Sequence, residues 1–358
     1  MKVLTILGAR PQFVKAATVS RELKKASIQE VIIHTGQHFD ANMSQVFFDE
    51  MDIPAPDYNL EINNLGHGAM TGRMMEKVEE IMIKEKPHYV LVYGDTNSTL
   101  AGALTASKLH LPVAHIEAGL RSFDMKMPEE VNRILTDRIS RLLFCPTNTA
   151  IQNLQKEGYT NFNCRIIHSG DVMYDAVLFY KEKAQTQSTI LKTLKLEGKA
   201  YILVTIHRAE NTNDISRLKS IVSALNELSQ EATIVFPLHP RTKAYLKNNN
   251  ISLNATIIDP VGYFDMLQLL SHSKMVMTDS GGLQKEAYFF SKYCITLRDQ
   301  TEWVELVQEG ANTIAGAEQE KIVTAYHSNK NNVLTLNPSL YGDGHAAALI
   351  ARELHSSM

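Results

Sequence analysis

Carboxylates, histidines and small polar residues gather directly after short apolar runs, which is where chemistry is expected. After residues 89–93 (YVLVY) come Gly94, Asp95, Thr96, Asn97 and Ser98. After residues 112–116 come Glu117, Ala118, Gly119, Leu120 and Arg121, and further on stand Pro128, Glu129, Glu130, Asn132 and Arg133. Asp95, Glu117 and Glu129 are expected at one edge of one sheet. They form an acid–base set, because neighbouring carboxylates push each other's pKa apart. Helix capping explains one or two of residues 95–98, and the positive end of a helix started by Pro128 explains one of Glu129 and Glu130.

The first apolar run, 3–7, ends in Gly8-Ala9-Arg10-Pro11, followed by Gln12 and Lys15. Gly8 allows close backbone approach and Pro11 suits a first helical turn. A helix N-terminus with Arg10 and Lys15 beside it favours an anion. The motif is not GxGxxG, so no dinucleotide fingerprint is present. The run 30–34 ends in Thr35-Gly36-Gln37-His38, a loop in which Gln37 and His38 are candidate ligand contacts.

The same arrangement recurs later in the chain. Residues 200–206 lead into His207-Arg208-Ala209-Glu210-Asn211, and residues 233–238 lead into His239-Pro240-Arg241. His207 can transfer protons near neutral pH. Neither histidine has metal-ligand spacing, so no metal is expected. Residues 275–278 lead into Asp279-Ser280-Gly281-Gly282-Leu283-Gln284-Lys285-Glu286. A strand, then Ser-Gly-Gly, then a helix offers backbone N–H groups without Cβ obstruction and suits a diphosphate. Glu286, one to two turns along, is placed to accept hydrogen bonds from ribose hydroxyls.

Strands alternating with helices position these residues. Strands are expected over 3–7, 30–34, 89–93, 112–116, 142–145, 200–206, 233–238, 256–258 and 275–278. Helices are expected over about 12–25, 98–109, 129–141, 214–228, 263–271 and 281–290. Near-continuous apolar strands between helices imply parallel sheets covered on both faces. The expected fold is α/β, two doubly wound Rossmann-like domains, with ligands beyond the carboxyl ends of the strands and a cleft between the domains as the natural site. The hydrophilic stretch 181–198 reads as a linker or a surface helix.

With 358 residues, the chain suggests two domains. Its 36 Lys plus Arg against 39 Asp plus Glu give a net charge of −3, which excludes a strongly basic nucleic-acid binder. No apolar run is long enough to span a membrane. Residues 3–7 are too short for a signal-peptide core, which points to a cytoplasmic protein. Cys145, Cys164 and Cys294 are odd in number and widely spaced, and are expected to be packed thiols.

These residues resemble the non-hydrolysing UDP-N-acetylglucosamine 2-epimerase family over almost the whole chain. The likeness rests on the ordered blocks GARPQFVKAA, TGQH, GDTNSTLAGALTA, HIEAGLRS, PEEVNR, TIHRAEN, DSGGLQKEA and YGDGHA. It implies a GT-B-like fold with residues 1–170 as the domain carrying the acid–base residues, 171–340 as the UDP-binding domain, and 341–358 as a tail helix packing back on the first domain. It implies anti elimination of UDP to a 2-acetamidoglucal, followed by re-addition on the opposite face of C2, with no metal or redox cofactor. Asp95, Glu117, Glu129 and His207 match the family's catalytic set, and Arg10 and Lys15 match residues serving the diphosphate and catalysis. Arg133, His239, Ser280, Gly281, Gly282 and Glu286 match UDP-contacting positions. A homodimer acting in surface polysaccharide precursor synthesis is also implied.

Several blocks depart from the family's commonest pattern. GARPQ replaces GTRPE, HRAEN replaces HRREN, and Thr301-Glu302-Trp303-Val304-Glu305 replaces TTERP. The Arg-Gln pair that helps bind an activating second substrate has no counterpart near Leu65-Gly66-His67. The variants resemble the branch acting on UDP-2,3-diacetamido-2,3-dideoxyglucuronate in O-antigen synthesis, so the sequence leaves that substrate and UDP-N-acetylglucosamine both open. Arg121 and Arg241 are candidate cations for a C6 carboxylate. A GT-B glycosyltransferase, a hydrolysing epimerase and a nucleotide-sugar sensor are the competing readings, and fold alone does not separate them.

Overall fold

A computed structural model of the chain describes residues 1–37, 51, 53–238, 240–337 and 339–357, without the side chains of Arg10, Pro240 and Arg241. It contains two compact units. One is Met1–Leu178 together with Pro338–Met358, and the other is Phe179–Asn337.

In the first unit, seven strands are seen among the described residues: β1 (Lys2–Leu7), β2 (Gln29–His34), β3 (Tyr58–Asn59), β4 (Tyr89–Tyr93), β5 (Val113–Ile116), β6 (Leu142–Cys145) and β7 (Arg165–His168). Their order is β3-β2-β1-β4-β5-β6-β7, and every pairing is parallel. The chain order therefore reverses between β1 and β4, the topological switch point at which such sheets bind ligands. β1 and β4 are buried almost throughout, which is why they read as unbroken apolar runs. One sheet face, through Leu4, Ile6, Val31, Ile33, Val90 and Val92, packs against Val78, Ile81 and Met82 of helix His67–Glu85 and Ala103 and Ala106 of helix Asn97–Lys108.

The second unit repeats the plan with β8 (Tyr201–Thr205), β9 (Thr233–Pro237), β10 (Thr256–Ile258), β11 (Met275–Thr278), β12 (Tyr293–Thr296) and β13 (Asn312–Ile314). The order β10-β9-β8-β11-β12-β13 puts its switch point between β8 and β11. Alternate residues of β8 serve opposite faces, as the strand period requires. Ile202 and Val204 pack with Leu218, Ile221 and Leu225, whereas Tyr201 and Leu203 pack with Leu269, Leu270 and Leu283.

Strands β3, β7, β12 and β13 and helices Asn148–Lys156, Pro240–Asn248 and Gln319–Asn329 are not among the elements expected from the sequence. Helix His67–Glu85 was not anticipated. Its buried Met70, Met74, Val78, Ile81 and Met82 do follow a helical stripe, but Gly66 at its start supplies no capping side chain to announce it. The first unit extends to Leu178 rather than ending at 170, because Asp175 accepts the N–H groups of Ala346 (3.2 Å) and Ala347 (2.8 Å) at the start of the tail helix Ala346–Ser356. The tail helix belongs to this first unit, and Arg165 also reaches it through Glu353 at 2.6 Å. The stretch 181–198, expected as a linker or a surface helix, is in good part helical, as the end of Val172–Gln187 and the short helix Ile190–Thr193. Among the described residues no helix is long and apolar enough to cross a membrane.

Candidate active site

At the first switch point the turn after β1 is tied to the end of β4 by one buried side chain. The Gln12 carbonyl oxygen accepts from the N–H groups of Gly8 (2.8 Å) and Ala9 (3.0 Å). Its amide nitrogen donates to the Tyr93 carbonyl (2.8 Å) and to Thr99 Oγ1 (2.9 Å). A neutral amide, both donor and acceptor, suits this position, so the glutamine of GARPQ completes a network that uses both of its ends. Gly8 is obligatory, because a Cβ there would sit 2.0 Å from Ser98 Oγ and 2.3 Å from Thr35 Oγ1. Gln37 spends its oxygen on Ser98, accepting from its N–H at 3.0 Å and its hydroxyl at 2.8 Å. It therefore shapes this pocket whatever else it touches.

Four charged groups expected in the site meet in two pairs. Lys15, on helix Arg10–Lys25, forms an ion pair with Glu117 after β5, both side chains being nearly buried. Arg133, on helix Pro128–Ile139, forms one with Asp95 after β4. Asn132 holds the Asp95 carbonyl at 2.9 Å. Gly94 lies between the two pairs with φ +61°, and a Cβ there would come within 3.2 Å of Glu117 Oε2 and 3.3 Å of Lys15 Nζ. Glu117 itself adopts φ +72°. That conformation is strained for a side-chain-bearing residue and persists only where its surroundings enforce it.

Glu129 is half-buried in the first turn of its helix. Its neighbour Glu130 is fully buried and accepts from Ser122 N–H and hydroxyl, Phe123 N–H and Arg133 Nη1, each at 2.8–2.9 Å. Glu130 thus holds the 120s loop and aims Arg133 at Asp95, a function that sequence reasoning missed. Arg121 is corrected as a candidate for a substrate carboxylate. It is buried, and its guanidinium is committed to Asp137 at 2.7 Å and to Glu157 at 2.7 and 2.8 Å.

At the second switch point, Asp279 follows β11 beside the end of β8. Thr278 and Thr205 are paired in register, so Asp279 reaches the turn that begins at His207. Its fully buried carboxylate accepts from the N–H of His207 (3.1 Å to each oxygen), the N–H of Arg208 (3.0 Å) and Asn211 Nδ2 (3.2 Å). Its Oδ1 is also 3.3 Å from Nδ1 of the half-exposed His207 ring. A carboxylate on one ring nitrogen fixes the tautomer and leaves the other nitrogen to accept or give a proton. No spacing rule connects residues 207 and 279, so only the sheet topology reveals the pair.

Helix Gly281–Phe289 begins immediately after, capped by Ser280, whose hydroxyl accepts from Leu283 N–H. The first N–H groups of a helix, here at Gly281 and Gly282, have no partner within the helix. Gly281 is required by packing, since a Cβ would lie 2.3 Å from Glu302 Oε1, whereas the Cβ direction of Gly282 is open. Glu302 is held by Arg298 at 2.9 Å, and the departing residue Trp303 receives Lys285 over its ring at 3.9 Å. Glu286 is buried on this helix. His38 and His239 lie outside the described residues, as do the side chains of Arg10 and Arg241. Among the described residues no cluster of His, Cys, Asp and Glu has the form of a metal site.

Comparison with known proteins agrees with this two-part layout. The profile of the UDP-N-acetylglucosamine 2-epimerase family matches residues 21–355. The chain belongs to that family. It is 54% identical over 356 residues to the UDP-2,3-diacetamido-2,3-dideoxy-D-glucuronate 2-epimerase of Pseudomonas aeruginosa, covering 99% of each chain. It is 33% identical to the UDP-N-acetylglucosamine 2-epimerase of Escherichia coli K12, covering 100% of this chain and 99% of that one. The Methanocaldococcus jannaschii UDP-GlcNAc 2-epimerase, solved in complex with UDP-GlcNAc and UDP, superposes with a TM-score of 0.93 at 42% identity, covering 99% of this chain and 100% of that one. The fold is therefore that of the epimerase family, GT-B-like, with two Rossmann-like units.

Proposed function

We propose that this epimerase-family protein inverts C2 of a UDP-2-acetamido sugar, and that its preferred substrate is UDP-2,3-diacetamido-2,3-dideoxy-D-glucuronate. The observation that carries the substrate is the 54% identity, over essentially the full length, to a Pseudomonas enzyme named for that sugar, against 33% and 42% for two enzymes named for UDP-GlcNAc.

A base takes the C2 proton, the C–H electron pair becomes the C1=C2 bond, and the C1–O bond breaks to leave UDP. UDP then rejoins C1 on the face it left, its oxygen taking the C1 bond as the C1=C2 electron pair takes up a proton at C2 from the face opposite to the first. The C2 proton is weakly acidic, so stabilising charge on the departing diphosphate lowers the barrier. The Ser280-Gly281-Gly282 turn and its helix N-terminus, with Arg10, His239 and Glu286, are assigned to UDP. Asp95, Glu117 and Glu129, supported by Lys15 and Arg133, are assigned to proton transfer, and His207 to acid–base work at the leaving group. Gln37 and His38 are assigned to sugar contacts. The nucleotide remains attached to the product, which separates this reading from a hydrolysing epimerase.

The enzyme is further proposed to be a cytoplasmic homodimer. Its three free cysteines suit a reducing compartment, and light scattering on purified protein reads the dimer mass. The decisive test of the reaction is NMR in D2O with each UDP-sugar in turn. The expected result is deuterium at C2 and a growing manno-configured UDP-sugar from the diacetamidoglucuronate. Turnover of UDP-GlcNAc alone would establish the second reading, favoured by the likeness to the Methanocaldococcus enzyme. UDP binding without C2 exchange from either sugar would overturn the proposal.

A further inference from the structure

His115 lies inside β5, fully buried, two residues before Glu117. Its Nε2 is 2.7 Å from the Gly94 carbonyl oxygen, and its Nδ1 is 2.7 Å from Asp137 Oδ1. A carbonyl oxygen only accepts, so Nε2 carries a hydrogen. Burial pushes the Asp137 carboxyl up, but the hydrogen bonds and charges of His115 and Arg121 outweigh burial and hold it below the usual range. Both ring nitrogens are therefore engaged, Nε2 as a donor to the Gly94 carbonyl and Nδ1 against the Asp137 carboxyl.

Asp137 Oδ2 accepts from Gly119 N–H at 3.1 Å and from Arg121 Nη1 at 2.7 Å, and Arg121 continues to Glu157. His115, Asp137, Arg121 and Glu157 thus form one continuous chain of side-chain contacts. Together they hold the backbone at Gly94, directly before Asp95, and on both sides of Glu117, at His115 and Gly119. Gly119 has φ +81°, and a Cβ there would lie 2.5 Å from the Ala150 carbonyl oxygen, so this flank has no room to shift.

We propose that His115 is a positioning residue for proton transfer at C2. Bridging the Gly94 carbonyl and Asp137 through its two ring nitrogens, it ties the turn carrying Asp95 to the segment carrying Glu117 and enforces the strained backbone of Glu117. The proposal rests on the epimerase reading and deepens it, because nothing in the reaction requires His115 to touch substrate.

The test uses the full chain with H115Q, whose amide side chain has donors on one nitrogen only and cannot reach both acceptors. With active sites counted by UDP-binding stoichiometry, kcat per site is expected to fall about 100-fold, the scale of a displaced catalytic group, while KM stays within about threefold. Unchanged kcat per UDP-binding site, with only a lower melting temperature, would overturn the proposal and leave His115 a packing residue. Wild-type protein with 15N-labelled histidines provides a second measurement that needs no variant. One buried ring is expected to keep its Nε2 hydrogen against exchange in D2O far longer than the exposed histidines, because that hydrogen is donated to the Gly94 carbonyl. A spectrum in which every ring hydrogen exchanges at the rate of an exposed ring would equally overturn it. Absence of C2 exchange in the wild type would instead sink the epimerase reading, and the ring's hydrogen bond would still be measurable.

Discussion

Asp279→Asn replaces one oxygen by an NH2 group at nearly constant shape, in a buried position where the carboxylate accepts from two backbone N–H groups, Asn211 and the His207 ring. With its oxygen where Oδ2 stood, the amide keeps Arg208 N–H and Asn211. Its NH2 then faces His207 N–H, donor against donor, and faces Nδ1, which must offer its lone pair. The ring hydrogen moves to Nε2, so that nitrogen loses its capacity as a base. One lost bond to a charged acceptor and one buried clash of donors should cost about 2–4 kcal/mol of stability. A positioned acid–base group contributes about 100-fold to 10,000-fold. The 3.3 Å contact is long for a charge-assisted bond, which places the expected kcat loss near the lower limit. The assay is deuterium incorporation at C2, with UDP affinity measured in parallel. The pH–rate limb belonging to His207 should also move to lower pH, because a neighbouring anion that favoured the imidazolium is gone. Combining Asp279→Asn with His207→Asn should add little to His207→Asn alone, since both act through one ring. A single variant turning over within about twofold of wild type would refute the reasoning.

Gly94→Ala places a methyl against the Lys15–Glu117 pair and forces an alanine to φ +61°. Melting should show a loss of about 1–2 kcal/mol, and kcat should fall more than KM rises. Burial raises the Glu30 carboxyl despite hydrogen bonds from Thr5 and Ser20. The folded state therefore keeps this proton longer than the unfolded chain, and the group's contribution, complete below pH 4.5, is lost as pH rises through the folded value. Glu30→Gln should raise the melting temperature at neutral pH by about 2–4 °C and flatten its fall with pH. Burial likewise lifts Asp175 from 3.8 to about 6, against the N–H bonds from Ala347 and Ala346. Its share of stability, about 3 kcal/mol below pH 3.8, should disappear by about pH 6 in wild type, and Asp175→Asn should remove that slope in denaturation measured across the range.

The central strands were legible because they are buried on both faces and so read as unbroken apolar runs, whereas β3, β7, β12 and β13, nearer the sheet edges, were not. The candidate site was legible as polar residues following those runs, after β1, β4, β5, β8 and β11. What stayed hidden depends on partners distant in sequence. Glu129 and Glu130 are adjacent and equally suited to a helix start, and only the folded loop shows that Glu130 is the one surrounded by donors. Arg121 is an available cation in the sequence, but the fold commits it to Asp137 and Glu157. Asp279 sits inside a glycine motif that draws attention to phosphate, yet its own work is done on a histidine 72 positions earlier.

The same contacts sort the carboxylates by how they are held. The proposed proton transfer needs a carboxylate with an oxygen accessible to substrate, and one surrounded by rigid donors has none to offer. Glu130, with three donors from the loop backbone and Ser122 plus an arginine, and Asp137, with His115, Gly119 and Arg121, are of the second kind. Asp95 keeps 29% of its side chain exposed and meets the terminal nitrogen of Arg133. Glu117 meets the ammonium of Lys15, a compact charge rather than a rigid fork. Glu130 and Asp137 therefore belong to the frame, and under the proposed reaction Asp95 and Glu117 are the carboxylates that this frame presents.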